Sequence, residues 1–256
     1  MTVTVRTVHD VAGIAAVADF FSDIWQTPHT APPYPAEVLH SLEHAGGAVH
    51  AAYDTSGTLL GAAVAVFGEP DSYDSYSFVA AARTSDRGVG LAVKRAQRDW
   101  AVQRGARTMR WTFDPLVARN ARFNLVKLGG RGTEYLVDFY GPMADGLNDG
   151  DESDRLTITW DLTAPEPEGP GAEPPPAGEV LATAPDGDPL AYRSQDTLRC
   201  RVPDDIVKLR AAEPELALRW RHAVREVFTE AFSQGYEATA MTRDGWYTLS
   251  PRGALA

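Results

Sequence analysis

The residues best suited by type and spacing to do chemistry lie at Ser85-Asp86-Arg87-Gly88-Val89-Gly90, a turn between an apolar run and a helical pattern. A strand feeding such a turn and then a helix can cradle a diphosphate. Glycine lets the backbone approach closely, successive N–H groups point at the anion, and the helix N-terminus adds a favourable partial charge. Two common nucleotide loops are excluded. Val93 stands where a dinucleotide fold needs its third glycine, and no Gly-Lys-Ser/Thr follows as in a Walker loop. Arg87, Gly88, Val89, Gly90 and Leu91 are therefore the expected anion-binding residues, with Lys94 and Arg95 one turn into the helix and able to reach a phosphate.

The elements that must position this turn can be read from periodicity. Thr2 to Thr7 alternates as a half-buried strand, and Asp10 is placed to cap a helix from Val11 to about Trp25. A proline-rich connection leads to a second helix near Ala36 to Glu43. Ala48 to Tyr53 and Thr58 to Phe67 form a hairpin about Asp54-Thr55-Ser56-Gly57, and Ser75 to Ala82 is another strand. Behind the turn, Leu91 to Arg104 is helical with Ala92, Ala96 and Trp100 on one stripe and Gly105 as its stop. A strand at Thr108 to Phe113, a helix from about Val117 to Leu128, and strands at Thr133 to Tyr140 and Leu156 to Leu162 follow.

The tract from Ala164 to Gly178 is rich in proline, glutamate and glycine and has no apolar face, so it reads as a linker. Beyond it come strands at Val180 to Ala184 and Thr197 to Val202, a helical region from Asp204 to about Ser233, and strands near Tyr236 to Thr242 and Trp246 to Leu249. The mixture of hairpins with one strand–helix–strand crossover predicts an α/β fold of α+β type, with a mixed sheet and an appended C-terminal α/β segment. The expected domains are 1–163, a linker at 164–178, and 179–256 packing on the first domain. The apolar helix of the last segment could dock there or form a homodimer contact.

The chain has 256 residues, a net charge of −11 and a pI near 5.0. That charge argues against nucleic acid as a partner, so an anionic ligand must be met by a local cluster. The N-terminal residues lack a signal-peptide layout and no apolar run is long enough to span a membrane. The single cysteine, Cys200, excludes an internal disulfide. A cytoplasmic protein with no membrane partner is expected. His40 and His44 stand four apart without an intervening glutamate, too little for a zinc site, so no metal is expected.

The order strand, Arg87-Gly88-Val89-Gly90, helix, strand, and a helix ending Lys127-Leu128-Gly129 resembles the GNAT superfamily of acyl-CoA N-acyltransferases over roughly the first 160 residues. A closer resemblance spans nearly the whole chain. Trp111-Thr112-Phe113-Asp114-Pro115-Leu116, Arg119-Asn120-Ala121, Phe123-Asn124, Asp145-Gly146-Leu147-Asn148, Asp154-Arg155-Leu156, Val202-Pro203-Asp204 and Trp220-Arg221-His222-Ala223-Val224-Arg225 are similar to a sparsely characterised GNAT family. Some of that family's members are amino-acid N-succinyltransferases. The resemblance implies acetyl-CoA or succinyl-CoA as co-substrate and a small amine or amino-acid-like metabolite as acceptor. It further implies that backbone amides of the turn hold the pyrophosphate and that the preceding strand pairs with the pantetheine arm.

This chain departs from the superfamily in three places. Ser85 replaces a long polar side chain at the head of the loop. Leu125 replaces the tyrosine that many members use to protonate the departing thiolate, and Asp74-Ser75-Tyr76 replaces a His-Ser-His stretch.

Acyl transfer to an amine needs a neutral nucleophile, a stabilised oxyanion and a thiolate that can leave. Asp74 is the expected base, ahead of Glu69, and Tyr76 the expected donor, since residues two apart on a strand share a face. Backbone N–H groups at Val79, Ala80 and Ala81 would serve the oxyanion and the pantetheine, and Asn120 is placed for an adenine or phosphate contact. Arg221 and Arg225, four apart on one helix, could hold a substrate carboxylate; alternatively they pair with Glu226 and Glu230. An acyl-enzyme is not expected, because no Gly-x-Ser-x-Gly occurs and Cys200 sits between two arginines. The alternative class is a degenerate module that binds acyl-CoA without turnover, and another acyl-CoA reaction such as decarboxylation also fits the scaffold.

Overall fold

A computed structural model describes residues 2–69, 74–83, 88–143, 145, 150–167 and 178–253. The chain forms two compact units, and each contains a sheet with helices on it.

The first unit comprises Met1–Trp111, Asp145–Leu147 and Asp161–Ala164. Its strands are β1 (Thr4–Val8), β2 (Ala48–Tyr53), β3 (Leu59–Phe67), β4 (Ser75–Ala82) and β5 (Thr108–Phe113), side by side in that order. The first four pair antiparallel and β4 pairs parallel with β5, so the sheet is mixed. Helices α1 (Val11–Trp25) and α2 (Ala36–His44) cover one face. Ile14, Val17, Phe20, Phe21 and Leu39 pack there against Val49, Ala51, Ala62, Val64 and Val79. On the other face Val89 and Val93 of α3 (Val89–Gln103) pack on Ala52 and Ala63. Strand alternation sends neighbouring alanines to opposite faces, and their small size lets helices close on both. The expected cap holds: Asp10 Oδ1 accepts from the Gly13 amide at 2.8 Å.

The second unit comprises Thr112–Ala144, Asn148–Trp160 and Pro165–Ala256. A short helix α4 (Ala118–Arg122) runs into a π-helical turn, Phe123–Lys127. The strands are β6 (Arg131–Leu136), β7 (Arg155–Asp161), β8 (Glu179–Thr183), β9 (Pro189–Ser194), β10 (Thr197–Arg201), β11 (Tyr236–Met241) and β12 (Trp246–Pro251). They lie in the order β7-β6-β11-β12-β10-β9-β8, every neighbour antiparallel. Two helices, α5 (Ile206–Ala212) and α6 (Pro214–Ser233), replace the expected single helical region. Pro214 cannot continue a helix and instead opens the next at its first position. The apolar face of α6 is covered within this unit, with Phe228 edge-on to Tyr247 at 5.0 Å and tilted against Tyr135 at 5.4 Å.

The compact units part within β5, and a further boundary, between Ala164 and Pro165, falls at the start of the 164–178 tract. Strand β6 joins the C-terminal strands through the pairing of Ala238 with Gly132. Of that tract, 168–177 lie outside the described residues, and Pro167 packs on Gly129. No helix among the described residues is long and apolar enough to cross a membrane.

Candidate functional site

The site in the first unit is made by a parallel pair of strands that separates. Strands β4 and β5 are in register at Ser75 with Met109 and at Tyr76 with Arg110. Among the described residues they pair nowhere else, so from Ser77 onward β4 is held only by β3 on its other side. Its N–H and C=O groups on the β5 side are available to an extended ligand. A bulge sharpens the change: Val64 opposes Val79 and Ala65 opposes Ser77, leaving Phe78 as the extra residue. Phe78 is exposed and stands edge-on to Tyr34 at 5.5 Å.

Helix α3 begins where β4 leads. Gly88 adopts φ 76°, the left-handed conformation that glycine tolerates best, and its carbonyl accepts the first helical bond from Ala92 at 2.9 Å. Among the described residues no side chain caps this helix, and its first turn holds no acidic residue. The amides of Val89, Gly90 and Leu91 are those a helix leaves without internal partners. Together with the helix dipole they suit an anion. The start of α3 also sits close on the sheet, because a Cβ at Gly61 would come within 2.7 Å of Val89 Cγ1. Arg87, like Ser85 and Asp86, lies outside the described residues.

Lys94 does not reach outward to a phosphate. It is buried, its Nζ donates to Ser77 Oγ at 2.8 Å, and it stands 3.8 Å from the centroid of the Trp111 ring. Ser77 Oγ in turn donates to Gln97 Oε1 at 3.0 Å, and Gln97 Nε2 donates to the Val64 carbonyl at 3.1 Å. Burial pushes the Lys94 pKa down to about 7. The physical reason is the α3 stripe: Val89, Val93, Lys94, Gln97, Trp100 and Ala101 face the sheet, while Ala92 and Ala96 lie half-buried beside it.

Asp74 also has a task other than the one expected of it. Its Oδ2 accepts from the amides of Arg107 and Thr108 at 2.5 and 2.9 Å, and its own amide donates to Thr108 Oγ1 at 3.2 Å. The carboxylate therefore pins the start of β5 to β4 on the paired side of the junction, away from the separating part of the two strands. Tyr76 is half-buried in the last register pair, on the strand face opposite Ser75 and Ser77. Val79, Ala80 and Ala81 lie on the separating part of β4, in register with Val64, Ala63 and Ala62.

The remaining candidates belong to the second unit. Asn120 is exposed on α4, and Leu125 is buried in the π-helical turn. Arg221 and Arg225 bind carboxylates of the protein itself, and these are not Glu226 or Glu230. Arg221 is 1% exposed and makes a two-pronged contact with Asp114, at 2.8 Å to Oδ1 and 3.0 Å to Oδ2, and a further bond to Asp151 at 2.7 Å. Arg210 joins the same two carboxylates at 2.9 Å each. Arg225 is bidentate to Asp154 at 2.9 and 2.7 Å and also meets Glu152. Asp154 accepts a further bond from the Tyr135 hydroxyl at 2.7 Å. Burial alone would raise the Asp114 pKa, but Arg221 and Arg210 hold it well below the ordinary carboxylate range. With their guanidinium groups so engaged, neither arginine is presented to a substrate carboxylate.

Cys200 is buried and its thiol is pushed up by that burial, which suits a core residue and not a nucleophile. No group of three His, Cys, Asp or Glu among the described residues could hold a metal ion.

No protein-family model matches the chain, and no curated protein matches it in sequence. Solved structures do match in shape. The yncA protein from Salmonella typhimurium, described as a putative acetyltransferase with acetyl-CoA, is 18% identical, covers 65% of this chain and 99% of its own, and has a TM-score of 0.47. Ard1 from Thermoplasma volcanium is 16% identical over 64% of this chain and 100% of its own, with a TM-score of 0.49. An N-acetyltransferase from Staphylococcus aureus Mu50 is 15% identical over 64% of this chain and 100% of its own, with a TM-score of 0.50. At this identity the likeness is one of fold: about two thirds of this chain shares the α/β, mixed-sheet fold of the Staphylococcus aureus N-acetyltransferase.

Proposed function

We propose that the protein is an acyl-CoA-dependent N-acyltransferase that moves an acetyl or succinyl group to a small amine or amino-acid-like metabolite by direct attack. The observation that carries this reading is the geometry about β4. Among the described residues, a strand with one edge unpaired from Ser77 onward leads to a helix whose first amides, at Val89 to Leu91, have no capping side chain. A diphosphate suits the helix start and an extended amide-bearing arm suits the strand edge. The co-substrate supplies an activated thioester. The chain orients it, with strand amides near Val79 to Ala81 available to the oxyanion. The shared fold with an N-acetyltransferase supports the same reading. A reducing cytoplasm suits the single buried Cys200.

Isothermal titration with acetyl-CoA and succinyl-CoA, followed by a thiol-release assay over a panel of amines, tests this. Binding with amine-dependent thiol release is expected, and absence of binding by either thioester would refute it. The second reading, a module that binds acyl-CoA without turnover, is favoured by two observations. Leu125 is buried where a tyrosine acid is common, and the Asp74 carboxylate is engaged by backbone. Binding without thiol release from any amine would select it.

A further inference from the structure

Lys94 is buried without a carboxylate partner among the described residues. An ammonium has three N–H donors. Ser77 Oγ takes one, the face of Trp111 attracts the charge, and no further acceptor stands beside it among the described residues. Among the described residues the groups that meet the ammonium, Ser77 from β4 and Trp111 from β5, are neutral, as is Gln97 of α3, which accepts from Ser77. A leucine or methionine would fill the same space without the cost of burying a charge.

Its position in the fold is specific. Ser77 and Trp111 each directly follow the last β4–β5 register pair, Tyr76 with Arg110. The ammonium therefore stands at the apex where the two strands begin to separate. Five residues of strand, about 16 Å, run from this apex to Ala82 at the end of β4. A diphosphate held at the start of α3 would lay an extended arm along that edge, with its thioester toward Lys94.

Building on the acyl-CoA reading above, we propose that Lys94 is the proton donor to the departing thiolate, the role that Leu125 cannot fill. The acceptor nitrogen attacks the thioester carbonyl carbon, and a C–N bond forms as the C–S bond breaks with its electron pair on sulfur. The sulfur takes a proton from Lys94 Nζ. The acceptor nitrogen gives its surplus proton to water, and water returns one to Lys94. The products are an amide and a free thiol, with protons balanced.

The test is steady-state kinetics of the full chain with acetyl-CoA and an amine that supports thiol release, from about pH 6 to pH 10. Lys94→Met and Lys94→Gln are expected to lower kcat about 100-fold or more, with KM for acetyl-CoA little changed. The wild-type kcat is expected to fall as Lys94 loses its proton around pH 7, and that fall should vanish in the variants. Variants that keep kcat within about threefold, or lose activity through KM alone, would overturn the assignment. So would a wild-type kcat that does not decline above neutral pH, a result that needs no variant to fold. Turnover that is independent of Lys94 removes this proposal alone, whereas a wild type that binds no acyl-CoA removes the acyl-CoA reading with it.

Discussion

Arg221 meets Asp114 with both terminal guanidinium nitrogens, at 2.8 and 3.0 Å, although 107 residues separate them in sequence. Both side chains are buried, and Arg210 and Asp151 complete the cluster. Removing one partner leaves an uncompensated charge in the interior. Arg221→Ala is expected to destabilise the second unit by about 3–5 kcal/mol in urea unfolding. The same unfolding series should show stability retained into acid. The folded Asp114 pKa is depressed, so its contribution is complete above the unfolded value and is lost only as pH falls through the lower folded one. Loss of this contribution already at pH 5 would contradict the pairing.

Because Arg225 is bidentate to Asp154 and also bound to Glu152, it is expected to hold the protein's own carboxylates and not a substrate's. Arg225→Ala should lower stability and leave the ratio of rates with acetyl-CoA and succinyl-CoA within about twofold. A selective loss with succinyl-CoA would restore it to the substrate site.

Lys94 makes a stability prediction separate from its chemistry. Burial lowers its pKa from 10.5 to about 7, so between those values the unfolded chain holds more protons than the folded one. Stability therefore rises with pH across that window, and the penalty of the buried charge is complete only below it. Lys94→Met should raise the Tm at pH 6, with the gain shrinking toward pH 10. A variant with lowered Tm at both ends would contradict the unpaired burial described.

His50 acts with the same sign in a more acidic window. It is buried on β2, its Nε2 has no hydrogen-bond partner among the described residues, and its pKa is lowered to about 4, chiefly by burial and then by Arg104 and His9. Its unfolded value is near 6.5, so stability should fall as pH drops from about 6.5 to about 4. His50→Leu should flatten that part of the pH–stability curve, and an unchanged curve would remove His50 as its origin.

Much of the first unit was legible in local patterns. The Asp10 cap, the Asp54–Gly57 hairpin and the start of α3 at the glycine turn follow from signals within a few residues. Long-range pairings carried no such mark. The partners of Arg221 and Arg225 lie about 70 to 107 residues away, while Glu226 and Glu230 stood nearby in sequence. Lysine on an amphipathic helix is ordinarily exposed, and only the facing Ser77, Gln97 and Trp111 explain why Lys94 turns inward. Strand β9 was missed because it opens on Pro189, a residue that weakens a strand pattern, although the first position of a strand tolerates it.

The binding geometry about α3 is tested most directly by titrating acetyl-CoA calorimetrically into the wild type and Gly61→Ala. A methyl at Gly61 would come within 2.7 Å of Val89 Cγ1 and 3.1 Å of the Ala81 carbonyl, crowding the start of α3 against β4. The wild type is expected to bind one acetyl-CoA per chain, and Gly61→Ala to bind at least about tenfold more weakly while unfolding cooperatively. No binding by the wild type, or equal affinity in a variant whose fold is intact, would contradict a coenzyme A site at the junction of β4 and α3.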